Sequence, residues 1–382
     1  MNDLPFGNEE NQDEALLIRE IPNKRRYWFV RTFGGALFEY YYSSKKVGIL
    51  GNDVPLALIK NAPHDNVTFS SLQNYIFTNI YPENTGEATK LANQLIDFYH
   101  HMKVDDIVMM PSVDSDFIAF GRVTSQMKER EKPFGTFMYK ETQYDYPTKY
   151  HEIEWLTIKR KRDVLGDMRP LFSTYMGITN ADKYGEFIES SISTFFTKEE
   201  YYYFSMFVDL NDDEELNAFE LHRYLEAITK LYKHYCIAND IEENEELYLK
   251  IKIQSQGNNI LKWLKTAGGI GIASMLAMSI TGTDPEVKYS SDEGFVGNMK
   301  GNFFKNLTTA YDDVSKTNRE NKKKDIEIES MQIDLIDKKR KLGLLTPEEI
   351  EKYQIQLKDS AEALNLKNIE SKNIKISDVL GD

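Results

Sequence analysis

An uncharged segment of eighteen residues, from Thr266 to Thr283, limits more than any other feature how this chain can fold. Its sequence is TAGGIGIASMLAMSITGT, in a chain of which 28% is charged. So much apolar surface is unfavourable in water, so the segment must be covered by protein or by lipid. Its length is at the lower limit for a helix that crosses a bilayer core of about 30 Å.

Small residues recur in this segment at every fourth position, at Gly269, Ala273 and Ala277. Such a ridge allows close approach between helices, so these three residues are candidates for a membrane or oligomer segment. Lys262, Trp263 and Lys265 just before it are typical of a membrane interface. The alternative is a buried glycine-rich helix or loop that packs under the C-terminal helical hairpin, or a seam between copies of the chain.

Composition restricts the remaining possibilities. The 382 residues allow two or three domains, and a hydrophobic content of 41% with a mean hydropathy of -0.52 argues against a polytopic membrane protein and against general disorder. The net charge is -14, so binding to nucleic acid requires a locally basic surface. A single cysteine, Cys236, excludes internal disulfides and Cys-based zinc sites.

The first twenty residues lack a signal-peptide pattern, which favours a cytoplasmic protein. Membrane association on activation is an open alternative.

The first part of the chain alternates strand-like and helical patterns. Residues 27–31 and 47–51 are rich in β-branched and aromatic residues, which favours strands. Residues 86–102 carry apolar side chains with the spacing of an amphipathic helix. Residues 107–111 and 117–123 predict two strands of a hairpin, and residues 150–159 predict a further strand.

This arrangement resembles the PUA/EVE-like small barrel at the N-terminus of Mrr-like restriction proteins and other bacterial phage-defence proteins. The resemblance covers about residues 25–160, and four segments carry it: YWFVRTFGG (27–35), VGILG (47–51), IDFYHHMKVDDIVMMP (96–111) and FIAFGRVTS (117–125). Ile49-Leu50-Gly51 stands where the family usually has an Ile-Gly-Trp-like turn. The resemblance implies a PUA/SH3-like β-barrel that binds nucleic acid or a nucleotide.

Recognition of a base requires an aromatic wall for stacking and polar groups for the base edge. The residues that the resemblance proposes for ligand binding are Trp28, Arg31, Tyr40, Tyr41 and Arg122. In the alternative interpretation, Trp28 and the tyrosines form the barrel core and the two arginines are ordinary surface residues.

A basic cluster follows the last predicted strand of the barrel and is the best local exception to the acidic average. Its members, which are candidates for contacts with phosphates, are Lys159, Arg160, Lys161 and Arg162. A solvated loop or a patch that faces a protein partner is the alternative.

The fold class expected for the whole chain is α+β. Its predicted parts are a polar leader (1–24), a PUA-like β-barrel domain (25–165), a small α/β domain (178–258), a glycine-rich apolar segment (259–290) and an α-helical hairpin tail (300–370). The second helix of the tail is predicted to begin with Thr346 as N-cap and Pro347 at its first position. We expect the tail to contact further copies of the chain or a partner subunit.

One segment resembles a calcium-binding EF-hand loop. Residues 209–220 place oxygen-bearing side chains at positions 1, 3, 5, 9 and 12, but Glu214 stands where the loop requires glycine. An acidic turn before a helix is therefore the favoured interpretation. Phosphate-binding glycine loops, HExxH and GxSxG patterns are absent from the sequence, so no catalytic residue, metal or cofactor is predicted.

These observations support two functions of different classes, and a structural or assembly subunit that binds no ligand is a third alternative. The first is a non-enzymatic sensor of a bacterial anti-phage defence system that binds nucleic acid or a nucleotide and signals to its helical tail. The second is a membrane-disrupting effector whose residues 266–283 insert into the inner membrane. The defence context comes from the family resemblance.

Overall fold

The computed structural model shows a mixed α+β protein, which confirms the predicted class. The residues that it describes are 16–62, 66–164, 168–173, 177–208, 217–238, 248–250, 257–264, 269–281, 287–290, 296–299, 337–338, 341, 343–368 and 374–380. They form two compact units. We call the described residues within 24–193 and 374–380 the inserted unit, and those within 16–23 and 194–368 the outer unit.

The strands, in chain order, are β1 (Leu16–Ile21), β2 (Tyr27–Val30), β3 (Lys46–Ile49), β4 (Ile107–Pro111), β5 (Phe117–Val123), β6 (Lys128–Glu129), β7 (Thr136–Tyr139), β8 (Thr142–Asp145), β9 (Lys149–Arg160), β10 (Ile178–Asn180), β11 (Phe195–Lys198), β12 (Tyr201–Val208), β13 (Tyr248–Lys250), β14 (Gly257–Leu264), β15 (Val287–Ser290), β16 (Val296–Met299) and β17 (Leu366–Asn368). The helices are α1 (Phe38–Ser44), α2 (Leu56–Asn61), α3 (Asn66–Asn79), α4 (Thr85–Ile96), α5 (Arg169–Phe172), α6 (Gly185–Ile192), α7 (Ala218–Ala238), α8 (Gly269–Thr281), α9 (Pro347–Ala363) and α10 (Ser377–Leu380).

The main sheet of the inserted unit has the order β10-β2-β4-β5-β9-β3, with β6 also paired to β9. The pair β2–β4 is parallel and the other pairs are antiparallel. All four residues of β2 are buried, because successive side chains point to opposite faces and each face carries its own core. Trp28 and Val30 belong to one core, and Tyr27 and Phe29 belong to the other.

The strands predicted in this unit are confirmed, as is the helix predicted over 86–102, which is α4 continued by a π-helical turn at Asp97–His101. Helices α1, α2 and α3 were not predicted. Residues 185–192 form a helix, α6, and a strand follows from Phe195. Because β10 pairs with β2, residues 178–180 belong to the first sheet and not to the predicted α/β domain.

The sheet of the outer unit is larger than the main sheet of the inserted unit. Its order is β13-β14-β12-β11-β1-β15-β16, with β17 paired to β12. Strand β1 is internal and runs parallel to both of its neighbours, β11 and β15. The prediction of a polar leader over 1–24 is therefore wrong for Leu16–Ile21. Ile18 and Ile21 are buried, and the backbone N–H and C=O groups of this short stretch pair with two neighbouring strands.

Helices α7, α8 and α9 pack together in the core of the outer unit. Helix α9 begins as predicted, with Thr346 as N-cap: its hydroxyl accepts a hydrogen bond from Glu349 N, and the Glu349 carboxylate accepts one from Thr346 N. Ile350 and Leu357 of α9 are buried against the other helices. The partner of α9 in the predicted hairpin tail lies outside the described residues, apart from residues 337–338 and 341.

The uncharged segment contains α8, which is part of the same core. Ala273 and Ala277 are buried, and the Tyr224 hydroxyl of α7 lies 2.8 Å from the Ser279 hydroxyl of α8. Two of the three residues of the small-residue ridge, Ala273 and Ala277, therefore pack within the chain, as the buried-helix interpretation of this segment expected. Within the part of the chain that the structure describes, no helix has both the length and the apolar character that crossing a bilayer requires.

Candidate functional site

Two of the five residues proposed for ligand binding are core side chains in this structure. Trp28 is 1% exposed, and its indole Nε1 donates a hydrogen bond to Asp106 Oδ2 at 2.9 Å. Tyr41 is buried as well, and its hydroxyl donates to the Gly48 carbonyl at 3.0 Å. Neither ring presents a face to a ligand in this conformation.

The two proposed arginines have different partners: Arg31 directly follows β2, and Arg122 lies on β5. Arg31 Nη2 donates to the carbonyl oxygen of Phe172. Arg122 on β5 forms an ion pair with Glu154 on β9 at 3.0 Å, and the two residues are opposite each other in the sheet. The ligand-binding roles of all five residues stay predictions, and Tyr40 alone among them lines the pocket described below.

The basic cluster at the end of β9 is divided by the alternation of the strand. Lys159 is 2% exposed, so its ammonium group is not presented to solvent, whereas Arg160 is exposed. Lys161 lies over the Phe172 ring at 4.8 Å, and Arg162 is 3.8 Å from the carboxylate of Asp163. Contacts with phosphate by this cluster remain a prediction.

A surface pocket of about 570 Å³ lies beside α1 in the inserted unit. Its lining consists of Ala36, Glu39, Tyr40, Ser43, Ser44, Lys46, Arg130, Phe134 and Tyr146. The members between 36 and 44 are spaced three and four residues apart, as one face of a helix requires. The opposite face of α1 carries Phe38 and Tyr41 into the core. The pocket wall is therefore the outward face of an amphipathic helix.

The ends of α1 are fixed by unusual backbone conformations. Gly35 has φ +99°, and a Cβ atom there would overlap Val113, so the turn before the helix requires glycine. At the other end, Lys45 adopts a left-handed conformation with φ 52°. This residue stops the helix and turns the chain into β3, so Lys46 follows directly after the outward face of α1.

Three aromatic rings form one wall of the pocket. The Tyr40 and Tyr146 ring centroids are 4.1 Å apart, and those of Tyr40 and Phe134 are 6.2 Å apart with an interplanar angle of 22°. Phe134 is 76% exposed, so most of its ring is open to solvent. A large exposed aromatic ring beside other rings is a platform on which a planar ligand can stack.

The β7–β8 hairpin supports this wall from behind. Phe137, Tyr139 and Tyr144 on its inner face all contact the Phe33 ring, with centroid distances between 5.5 and 6.0 Å. Tyr146 N donates to the Gly135 carbonyl at 2.9 Å and closes the base of the hairpin next to Phe134. The Phe137 ring also lies 5.6 Å from the Tyr146 ring, so the packing of the hairpin holds the aromatic wall in place.

Two cations of the pocket are positioned by one further ring. Lys46 Nζ lies 4.5 Å from the centre of the Tyr150 ring, and Arg130 Cζ lies 5.1 Å from it. Tyr150 on β9 is opposite Gly48 on β3 and Lys128 on β6. The sheet thus brings Lys46 and Arg130, from distant parts of the sequence, to the same tyrosine.

The polar lining also includes hydroxyls and one carboxylate. Ser44 Oγ donates to the Tyr40 carbonyl at 2.6 Å, so this hydroxyl is partly used within the helix. Glu39 is exposed and forms no hydrogen bond or ion pair with any described residue. The pocket therefore combines an aromatic wall, two cations and an available acceptor.

Sequence reasoning found Tyr40 but missed Lys46, Arg130, Phe134 and Tyr146. Arg130 and Phe134 lie in a polar loop without secondary-structure pattern, and β6, which directs Arg130, has only two residues. The available signal was the mixture of basic and aromatic residues over 128–146, which is typical of surfaces that bind nucleic acid.

The proposed calcium loop lies largely outside the described residues. Of its candidate ligands, Asn217 Oδ1 accepts hydrogen bonds from Phe219 N and Glu220 N at the start of α7, and Glu220 pairs with Arg223. These contacts fit an acidic turn that caps a helix. Across the described ranges, no group of three or more His, Cys, Asp or Glu residues is placed to hold a metal ion.

Comparison with protein-family models, curated proteins and solved structures finds no match for this chain.

Proposed function

We propose that this protein binds a nucleotide or single-stranded nucleic acid in the pocket beside α1, and that it acts by binding rather than by catalysis. The observation that carries the proposal is the combination of the exposed Phe134 ring with Lys46 and Arg130 in one pocket. A nucleotide contains a planar base and an anionic phosphate, and these two groups have complementary partners in this lining.

The energies expected for such contacts are sufficient for recognition. Stacking of a base on an aromatic side chain contributes about 1–3 kcal/mol. Lys46 and Arg130 provide the local positive charge that a phosphate requires in a chain of net charge -14. Because Tyr150 already orders both cations, less side-chain entropy is lost when the ligand binds.

The finer parts of the proposal come from the sequence. Segments 27–35, 47–51, 96–111 and 117–125 support the proposal that the inserted unit is a PUA/EVE-like barrel. The same resemblance supports the proposal that the protein is a cytoplasmic sensor of bacterial anti-phage defence. Signalling through the C-terminal helices to further copies or a partner subunit belongs to the same proposal. The membrane-disrupting alternative requires α8 to leave the core in which Ala273 and Ala277 are buried, so we do not propose it.

A matched pair of phenylalanines tests the site. Phe134 and Phe219 are 76% and 82% exposed, and Phe219 belongs to the outer unit and is not one of the pocket-lining residues. Binding of fluorescent single-stranded oligonucleotides and of nucleoside triphosphates should weaken by about tenfold or more in Phe134→Ala, the loss expected from one stacked base. Phe219→Ala should bind like the wild type. Equal affinity of all three proteins would contradict the proposed site.

A further inference from the structure

The carboxylate in the pocket indicates which base the site prefers. We infer that the pocket selects guanine, with Glu39 accepting hydrogen bonds from the base edge while Lys46 and Arg130 bind the phosphate. This inference rests on the proposed nucleotide-binding function and specifies its ligand.

Glu39 is placed to contact a ligand rather than another part of the chain. It lies in the first turn of α1, next to Tyr40 and one helical turn before Ser43, and all three residues line the pocket. Its side chain is exposed, and among the described residues it has no hydrogen-bond or ion-pair partner. In a site that attracts an anion, an unpaired carboxylate repels the anionic group of the ligand. Such a carboxylate favours binding only when it accepts hydrogen bonds from another part of the same ligand.

The charges of the pocket are arranged along the helix. Glu39 lies in the first turn of α1, and Lys46 follows the last residue of α1 by two positions. A helix of this length spans about 10 Å, so the carboxylate and the ammonium group belong to opposite ends of the α1 wall. The base edge and the phosphate of a nucleotide are likewise at opposite ends of the molecule. A nucleotide can therefore lie along α1 with its base at Glu39 and its phosphate at Lys46.

The hydrogen-bonding capacity of the bases then favours guanine. An ionised carboxylate only accepts hydrogen bonds, and guanine presents two adjacent donors, N1–H and N2–H, to which a carboxylate can bind in bidentate fashion. Adenine and cytosine present one amino group beside a ring nitrogen that is itself a hydrogen-bond acceptor. That nitrogen would face the second carboxylate oxygen, and two acceptors repel each other. Uracil presents one N–H between two carbonyl oxygens. The expected order of affinity is guanine first, adenine and cytosine next, and uracil last.

Discrimination should be moderate, because the site is open to solvent. A good bidentate pair gives about 5-fold to 150-fold discrimination in nucleic-acid recognition, and about tenfold, in the lower part of this range, is expected for an exposed carboxylate. Glu39→Gln should reduce this preference, because the amide replaces one acceptor oxygen by a donor. Affinity for ATP should not fall in this variant, because one negative charge is removed from an anion-binding pocket.

The test compares four ligands of equal charge. Isothermal titration of the full chain with GTP, ATP, CTP and UTP should show GTP binding about tenfold tighter than ATP and CTP, and UTP binding weakest. In Glu39→Gln the ratio of GTP to ATP affinity should approach one. The control is Glu131→Gln, which removes the same charge from an exposed residue that is next to Arg130 but outside the pocket lining. This variant should keep the wild-type ratio.

The possible failures are distinguishable. Binding of all four nucleotides with equal affinity, or a GTP preference that persists in Glu39→Gln, would overturn the inference and leave the proposed function standing. Absence of binding by the four nucleotides and by single-stranded oligonucleotides would overturn the proposed function, and the guanine assignment with it.

Discussion

Trp28 Nε1 donates a hydrogen bond to Asp106 Oδ2 at 2.9 Å, and this pair joins β2 to the residue that directly precedes its neighbouring strand β4. The same carboxylate accepts from Arg26 N at 3.0 Å and from Lys103 N at 2.9 Å. Burial raises the pKa of Asp106, whereas these donors oppose the shift. Asp106 is thus a structural acceptor that satisfies three donors of the inserted unit.

We predict that Asp106→Asn lowers the free energy of unfolding by about 2 kcal/mol, because the amide nitrogen faces a donor that the carboxylate oxygen had satisfied. The control is Asp105→Asn, which makes the same chemical change at an exposed neighbour with φ +74°, a conformation that asparagine tolerates. Denaturant unfolding of both variants measures the difference. Equal stabilities would contradict the role given to Asp106.

A second prediction concerns the pH dependence of stability. His151 is fully buried, and its Nδ1 and Nε2 atoms lie 2.9 Å from the Ser125 carbonyl and 2.7 Å from the Phe98 carbonyl. Burial lowers the pKa of His151, although both carbonyl oxygens favour the protonated ring. The unfolded chain therefore binds this proton at a higher pH than the folded protein does. The stability contributed by His151 is present above the ordinary histidine pKa of about 6.5 and is lost as pH falls below it.

The slope of stability against pH measures this effect. We expect the free energy of unfolding of the wild type to fall more steeply with decreasing pH than that of His151→Gln, by up to about 1.4 kcal/mol per pH unit. This difference applies between the pKa of His151 in the unfolded chain and its lower pKa in the folded protein. Urea titrations from pH 7.5 to 5 measure it. Comparing slopes removes any constant loss of stability that the glutamine causes. His101→Gln, which makes the same substitution at an exposed histidine, is the control for the substitution itself. Parallel curves for the wild type and His151→Gln would refute the prediction.

A third prediction tests how the pocket cations are positioned. Tyr150→Leu removes the ring that orders Lys46 and Arg130, so each side chain must be ordered when the ligand binds, at a cost of about 0.5–1.5 kcal/mol. We expect nucleotide affinity to fall by roughly fivefold or more. Tyr150→Phe keeps the ring and should keep the affinity. A loss of equal size in both variants would show that the hydroxyl matters and the ring does not.

The sequence was sufficient where a single local pattern decides the structure. Alternating or continuous apolar runs located β2, β4, β5 and β9, and the Thr346-Pro347 pair located the start of α9. Local patterns failed at α1, because Phe38–Ser44 contains three tyrosines that also favour strands. Its helical state follows from the turn at Gly35 and from the burial of Phe38 and Tyr41, which are tertiary effects.

The candidate site was harder to predict than the fold. Tyr40 was found through the resemblance, but the pocket also needs Arg130 and Phe134, which become its neighbours through the pairing of β6 and β3 with β9. Trp28 shows the opposite case, because its residue type suits stacking while its place on a strand with two covered faces makes it a core residue. Residue type alone does not distinguish an exposed platform from a buried ring.

The position of β1 in the outer sheet has a consequence during protein synthesis. Its parallel partners β11 and β15 come after the whole of residues 24–193, so both edges of β1 stay unpaired while the ribosome makes that segment. At about 5–20 residues per second, this interval is roughly ten seconds or longer. An unpaired apolar strand is a template for pairing with other chains, so the nascent protein depends on chaperones or on rapid folding of residues 24–193 until β11 emerges.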